Sequence, residues 1–201
     1  MQRLSTLHYV SSTHFSSLML FSSSGGRLPR SIDGWNRGTE CFKSRNKQAT
    51  CSHTDGDDLG TVMYYRQFSN SDDCWDVKIN GGTTWAIMTA ITNVNEQNPL
   101  GDIAEVSCDR TEKSKFPSVT GGVHDVVLFS QGFDDAYGPN DFKPTGGVSR
   151  LAYMKVHEDA GFLMAKELNR SGPTGSLVTE GKGGETCKDV LLSIVVNRLG
   201  D

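Results

Sequence analysis

Histidines beside acids are the first places to look for chemistry, because an imidazole that titrates near neutral pH is a natural general base. His124 is followed by Asp125, and His157 by Glu158 and Asp159. A catalytic reading needs a further group to orient the ring. Adjacent side chains on a strand point to opposite faces, so Asp125 is badly placed to orient His124. His157 equally suits the opening of a helix. No GxSxG or HExxH motif supplies a nucleophile or a metal partner for either ring. The rival carboxylates for a small hydrolase are Asp134 and Asp135, close by in sequence.

Those two acids belong to an oxygen-rich group that also contains Tyr137, Asn140, Asp141 and Phe142. The group lies within a Gly- and Asp-rich segment, Gln131–Gly147, which is long for a loop in a compact domain; such loops are often functional. Aromatic rings among carboxylates on a loop carried by a rigid sheet suit a sugar or a cationic ligand. Asp55, Asp57 and Asp58 offer oxygen ligands of the kind a hard cation takes. The EF-hand spacing fails there, because its fifth position falls on Leu59 and its twelfth on Arg66. A surface turn accounts for the same residues. Lys182, Gly183 and Gly184 precede the last apolar segment, where free backbone N–H groups at a helix start would hold an anion. The Walker spacing is absent, and a glycine connector explains the same run. No residue set specifies a cofactor.

These groups need a scaffold. Thr61–Phe68 is rich in β-branched and aromatic residues and reads as a strand. Trp75, Val77 and Ile79 alternate with polar neighbours, and Asn80-Gly81-Gly82 has the composition of a tight turn. With Thr83–Ile91 as the return strand, residues 74–91 predict an antiparallel hairpin. Trp85, Ile87 and Ile91 share one face of that return strand, and Ala86, Met88 and Ala90 the other. Trp75, Trp85, Tyr64, Tyr65 and Phe68 then serve as core and cross-strand packing. Further strands are predicted at 102–108, 123–130, 148–156 and 176–179. From His157 to Asn169 the apolar spacing becomes helical, with Ala160, Leu163, Met164 and Leu168 in phase. A final helix from Thr186 places Val190, Leu191, Ile194, Val195 and Leu199 on one side, although its β-branched residues oppose it. Strands first and helices last predict an α+β domain, an antiparallel sheet built on the central hairpin with C-terminal helices on one face. The alternative is an all-β sandwich, which requires the last segment to be a strand.

Three segments result: a leader at 1–33, an irregular polar stretch at 34–60 and a single domain at 61–201. The first 32 residues hold nine serines and three arginines but no Asp or Glu. A basic, Ser-rich, acid-free start predicts transit into an organelle interior, plastid or mitochondrion, or else a disordered tail. The apolar run at 17–21 is short for a secretory signal, the alternative address. No stretch reaches the ~20 apolar residues of a membrane span, which predicts a soluble chain. The net charge of −4 disfavours nucleic acid as a partner. Five cysteines without a CxxC pair give either buried thiols or, in a secreted module, two disulfides and a free thiol. Asn169-Arg170-Ser171 would then be a glycosylation sequon. The residues together predict a non-catalytic domain that binds a protein or small-molecule ligand through the 131–147 loop.

Overall fold

The structure is a computed structural model that describes residues 2–5, 14–23, 28–43, 59–68, 74–77, 83–107, 113–133, 142–144, 147–156, 159–181 and 189–199. Among the described residues there is no helix. The strands begin with β1 (Gln2–Ser5), β2 (His14–Ser23), β3 (Asn36–Lys43), β4 (Leu59–Phe68), β5 (Cys74–Val77) and β6 (Thr83–Thr92). They continue with β7 (Leu100–Ser107), β8 (Lys113–Phe116), β9 (Thr120–Gly121), β10 (Val126–Phe133) and β11 (Phe142–Pro144). The last are β12 (Ser149–Val156), β13 (Asp159–Glu167), β14 (Gly172–Pro173), β15 (Leu177–Gly181) and β16 (Asp189–Val196).

The α+β expectation is therefore overturned, and the all-β sandwich fits. Both segments expected to be helical are strands in the interior of a sheet. A five-stranded antiparallel sheet runs in the order β12-β13-β10-β16-β7. In β16, Val190 to Val196 are all buried, and in β13 so are Ala160 to Met164. A strand covered on both faces shows a continuous apolar run without alternation, and such a run also satisfies a helical spacing. The β-branched residues of β16 were the correct signal.

Four layers account for this double burial. The second large sheet, in the order β3-β4-β2-β6, is also antiparallel. Its inner face carries Phe15, Met19, Met63, Trp85 and Ile87, which pack against Leu128, Leu163, Leu192 and Ile194 of the five-stranded sheet. The far side of the five-stranded sheet presents Val127, Phe129, Phe162, Leu191 and Val195 to Phe116, Val119 and Leu177. These last come from the small sheet β11-β15-β8 and the chain after it. Phe116 meets Phe129 edge-on, with ring centroids 5.4 Å apart and planes at 76°. Two polar contacts secure this layer: Thr179 Oγ1 donates to Gln131 Oε1 at 3.1 Å, and Ser193 Oγ to the Pro117 carbonyl at 2.8 Å. The outer face of the four-stranded sheet carries Leu18, Leu20, Val62 and Tyr64, covered by Leu28, Ile32 and Trp35.

The hairpin expected at 74–91 is not the unit from which the sheet is built. β5 pairs with β1, and β6 pairs with β2. Residues 78–82, with the Asn80–Gly82 turn, lie outside the described residues. The partner of β6 is thus a strand from the segment read as a leader, and β2 stands between β4 and β6 in the middle of its sheet. The stretch read as irregular contains β3, whose register with β4 shifts between Arg37 and Thr39. Cys41 and Cys74 fall in β3 and β5, whereas Cys51, Cys108 and Cys187 lie outside the described residues.

Tyr64 makes the outermost layer sensitive to alkali. Its hydroxyl donates to the Pro29 carbonyl, tying the 28–35 segment to β4. Burial raises its pKa above the ordinary 10.0, with the nearby Arg37 charge acting in the opposite sense. A raised pKa means that the unfolded chain ionises first. The stability held by the neutral phenol is complete below about pH 10 and is lost as pH rises through that value toward the folded pKa. Urea midpoints measured from pH 8 to 11 will fall more steeply for the native chain than for Tyr64→Phe. At neutral pH the same substitution costs about 0.5–1.5 kcal/mol, the net worth of one hydrogen bond.

Candidate binding cleft

A cleft of about 690 Å³ opens between β4 and the connection from β6 to β7. Its lining is Gly34, Asn36, Tyr65 and Arg66 on one side, and Glu96, Gln97 and Pro99 on the other. The first wall follows from pairing, since Asn36 at the start of β3 lies opposite Tyr65 of β4. Just before it the chain turns, and the Trp35 N–H donates to the Ile32 carbonyl at 3.0 Å. Gly34 sits in this turn at φ +77°, a left-handed value that glycine adopts without strain. Buried Trp35 then lies under Arg66, whose guanidinium carbon is 5.6 Å from the ring centroid. That cation–π contact fixes the long side chain from below. Burial lowers the Arg66 pKa, but a guanidinium stays charged at any ordinary pH. Tyr65 is fixed as well, stacked on Phe15 at 5.4 Å and 22°.

The second wall is a loop held by side chain and backbone together. Asn95 Oδ1 accepts from the N–H groups of Gln97 at 3.1 Å and Asn98 at 3.2 Å, an Asx turn. Residues after β16 clamp the loop from outside. The Asn95 N–H donates to the Asn197 carbonyl at 2.9 Å, and the Asn197 N–H to the Pro99 carbonyl at 3.0 Å. Asn197 Nδ2 donates to the Asn98 carbonyl at 2.8 Å. Leu199 N–H reaches the Asn93 carbonyl at 2.8 Å, and Val94 bridges to Arg198. Both walls are therefore positioned before any ligand arrives.

His124 lies at the same end of the five-stranded sheet. It is in the turn before β10 at φ +69°, not on a strand. Its Nδ1 is 3.2 Å from Glu167 Oε1, and Glu167 Oε2 is 3.3 Å from Arg198. His124 and Glu167 are about half exposed, at 51% and 55%. Asp125 faces inward at 8% exposure. Its carboxylate accepts from the Gly122 N–H at 2.6 Å and the Arg198 N–H at 2.9 Å. Asp125 therefore fixes the turn and the chain after β16, and Glu167 contacts the imidazole. Glu167 was not visible from sequence: it lies 43 residues from His124 and comes near only because β10 and β13 pair Val126 with Glu167.

No known protein family matches this chain, and neither does any curated protein or solved structure. The functional reading therefore rests on geometry. Asp134, Asp135, Tyr137, Asn140 and Asp141 lie outside the described residues, as do His157, Lys182, Gly183, Gly184, Asp55, Asp57 and Asp58. Phe142 opens β11, opposite Gly181 of β15. Among the described residues no group of three or more His, Cys, Asp or Glu is placed to hold a metal. Nor is any helix there long and apolar enough to cross a membrane.

Sequence reasoning passed over all seven cleft residues. Gly34 and Asn36 fell in a stretch read as irregular, and Tyr65 and Arg66 in a strand read as core. Glu96, Gln97 and Pro99 belong to no motif that the sequence marks out. The one available signal was Asn95 followed by Gln97 and Asn98, the composition of an Asx turn.

Proposed function

We propose that this chain is a non-catalytic binding domain and that the cleft between β4 and the 93–99 loop holds a small polar ligand. The observation that carries this reading is the fixing of both walls. Trp35 supports Arg66 on one side, and Asn95 with Asn197 shapes the loop on the other. A cleft fixed in advance spares its ligand part of the ordering cost of binding. The volume of about 690 Å³ falls within the ~300–1,000 Å³ usual for small-molecule sites. Polar residues stand on both walls, Asn36 and Arg66 on one and Glu96 and Gln97 on the other, a composition suited to a polar ligand. The 131–147 loop is a separate candidate contact, since it starts at the other end of β10.

Ligand-observed NMR with a library of small polar compounds tests this, followed by amide shift mapping on the full chain. Hits should compete for one site and shift the amides of Tyr65, Arg66 and Gln97. Glu96→Ala and Gln97→Ala remove exposed groups and should leave the fold intact. Each should weaken binding about tenfold, the worth of one charge-assisted or well-made hydrogen bond. Shifts confined to residues 131–147, or scattered over the surface, would overturn the assignment to the cleft.

A further inference from the structure

We propose that residues 28–35 form a strap that lifts from the outer face of the four-stranded sheet as a unit of its own, while both large sheets stay folded. The first ground is how the strap is attached. Residues 28–35 belong to no strand, so lifting them breaks no ladder of backbone hydrogen bonds. Leu28, Ile32 and Trp35 are buried against the sheet, and Arg30, Ser31, Asp33 and Gly34 between them are exposed. The bond from the Trp35 N–H to the Ile32 carbonyl closes within the strap. The Tyr64 hydroxyl on the Pro29 carbonyl and Arg66 over the Trp35 ring are side-chain ties, which release without any change in the strands.

The second ground is what stays behind. The three anchors of the strap are 7–8% exposed, whereas Leu18, Leu20, Val62 and Tyr64 of the sheet are at 0–1%. Lifting uncovers that one face. It leaves Met19, Met63 and Trp85 against Leu128 and Leu192, and Phe129 against Phe116. A segment with few buried apolar contacts opens at a smaller cost than the domain that carries it. The third ground is a hinge. Gly34 at φ +77° stands two residues before β3, where a glycine absorbs the dihedral change that lifting demands. Gly34 also lines the cleft, beside Asn36 at the start of β3. The closed strap therefore completes the first wall, and each lift takes that wall apart without unfolding the sandwich.

Native-state hydrogen exchange on the full chain tests this without any ligand, so its outcome is independent of the binding reading above. The Trp35 amide should show protection about 100-fold or more below that of the β10 amides. Leu192→Ala should lower the protection of the β10 amides about 30-fold or more. It should leave that of Trp35 unchanged within about twofold, because the cavity is present whether the strap is closed or lifted. Tyr64→Phe should lower the protection of Trp35 about two- to tenfold, the worth of one hydrogen bond. Ile32→Asp puts a charge beneath the strap. It should abolish protection at Trp35 yet keep a cooperative urea transition. Equal protection at Trp35 and β10, falling together in Leu192→Ala, would show that the strap opens only with the whole domain and would overturn the proposal. Loss of cooperative unfolding in Ile32→Asp would overturn it as well.

Discussion

Removing residues 1–23 yields a chain without a cooperative unfolding transition. β2 is the middle strand of its sheet, so its loss leaves β4 and β6 facing each other across an empty strand position. It also removes Phe15, Leu18, Met19 and Leu20, all buried, from two different core layers. Burial of four such side chains is worth about 6–12 kcal/mol, comparable with the ~5–15 kcal/mol that stabilises a whole domain. Deleting only residues 1–13 removes β1 but spares β2, and should keep a cooperative transition. Urea denaturation followed by tryptophan fluorescence separates the two, because Trp35 and Trp85 lie in layers on opposite sides of the four-stranded sheet. A folded, cooperative 24–201 chain would show that β2 is dispensable. The same strand bears on addressing. The acid-free, basic start remains a proposal for organelle targeting, and a cleavage compatible with this fold falls before His14. Mass spectrometry of the mature N-terminus reads that position.

The second large effect distinguishes a strand from a helix at adjacent residues. Leu191 and Leu192 face opposite layers of the sandwich. Leu191→Ala and Leu192→Ala should each destabilise the protein by about 2–5 kcal/mol, because each opens a cavity in a different core. On the helix expected from sequence, the apolar face is Val190, Leu191, Ile194, Val195 and Leu199, and Leu192 lies only at its edge. Its truncation there would cost clearly less than that of Leu191. Chemical denaturation of the two variants decides the point, and a large loss for Leu191→Ala alone would restore the helix.

The parts of the fold legible in the sequence were those governed by local pattern. β4, β6, β7, β10 and β12 were expected within a few residues, from alternation and β-branched content. In β6 the assignment of faces was also correct: Trp85 and Ile87 point to one core, with Ala86 and Met88 against the other. What failed was pairing and depth. Asn80-Gly81-Gly82 has hairpin chemistry, yet β5 and β6 take partners from the first 23 residues, a choice no local signal encodes. In β2 serines interrupt the apolar residues, and because both faces are covered, Leu18, Met19 and Leu20 are consecutive core residues. That pattern resembles a short signal core more than an alternating strand. β13 and β16 were misread for the same reason. The cleft was illegible because three separate stretches, at 34–36, 65–66 and 96–99, meet only once the sheets have formed.

The clamp of the 93–99 loop by Asn197 and Leu199 sets an order of events. β16 must fit between β10 and β7 before Asn197 can reach Asn95 and Asn98. A chain emerging from the ribosome therefore carries β3, β4 and the Trp35 turn long before it carries a finished second wall. Contacts so distant in sequence slow folding. Completion of the second wall would consequently require synthesis past residue 199, and a nascent chain stalled short of residue 197 would lack the clamp on the 93–99 loop.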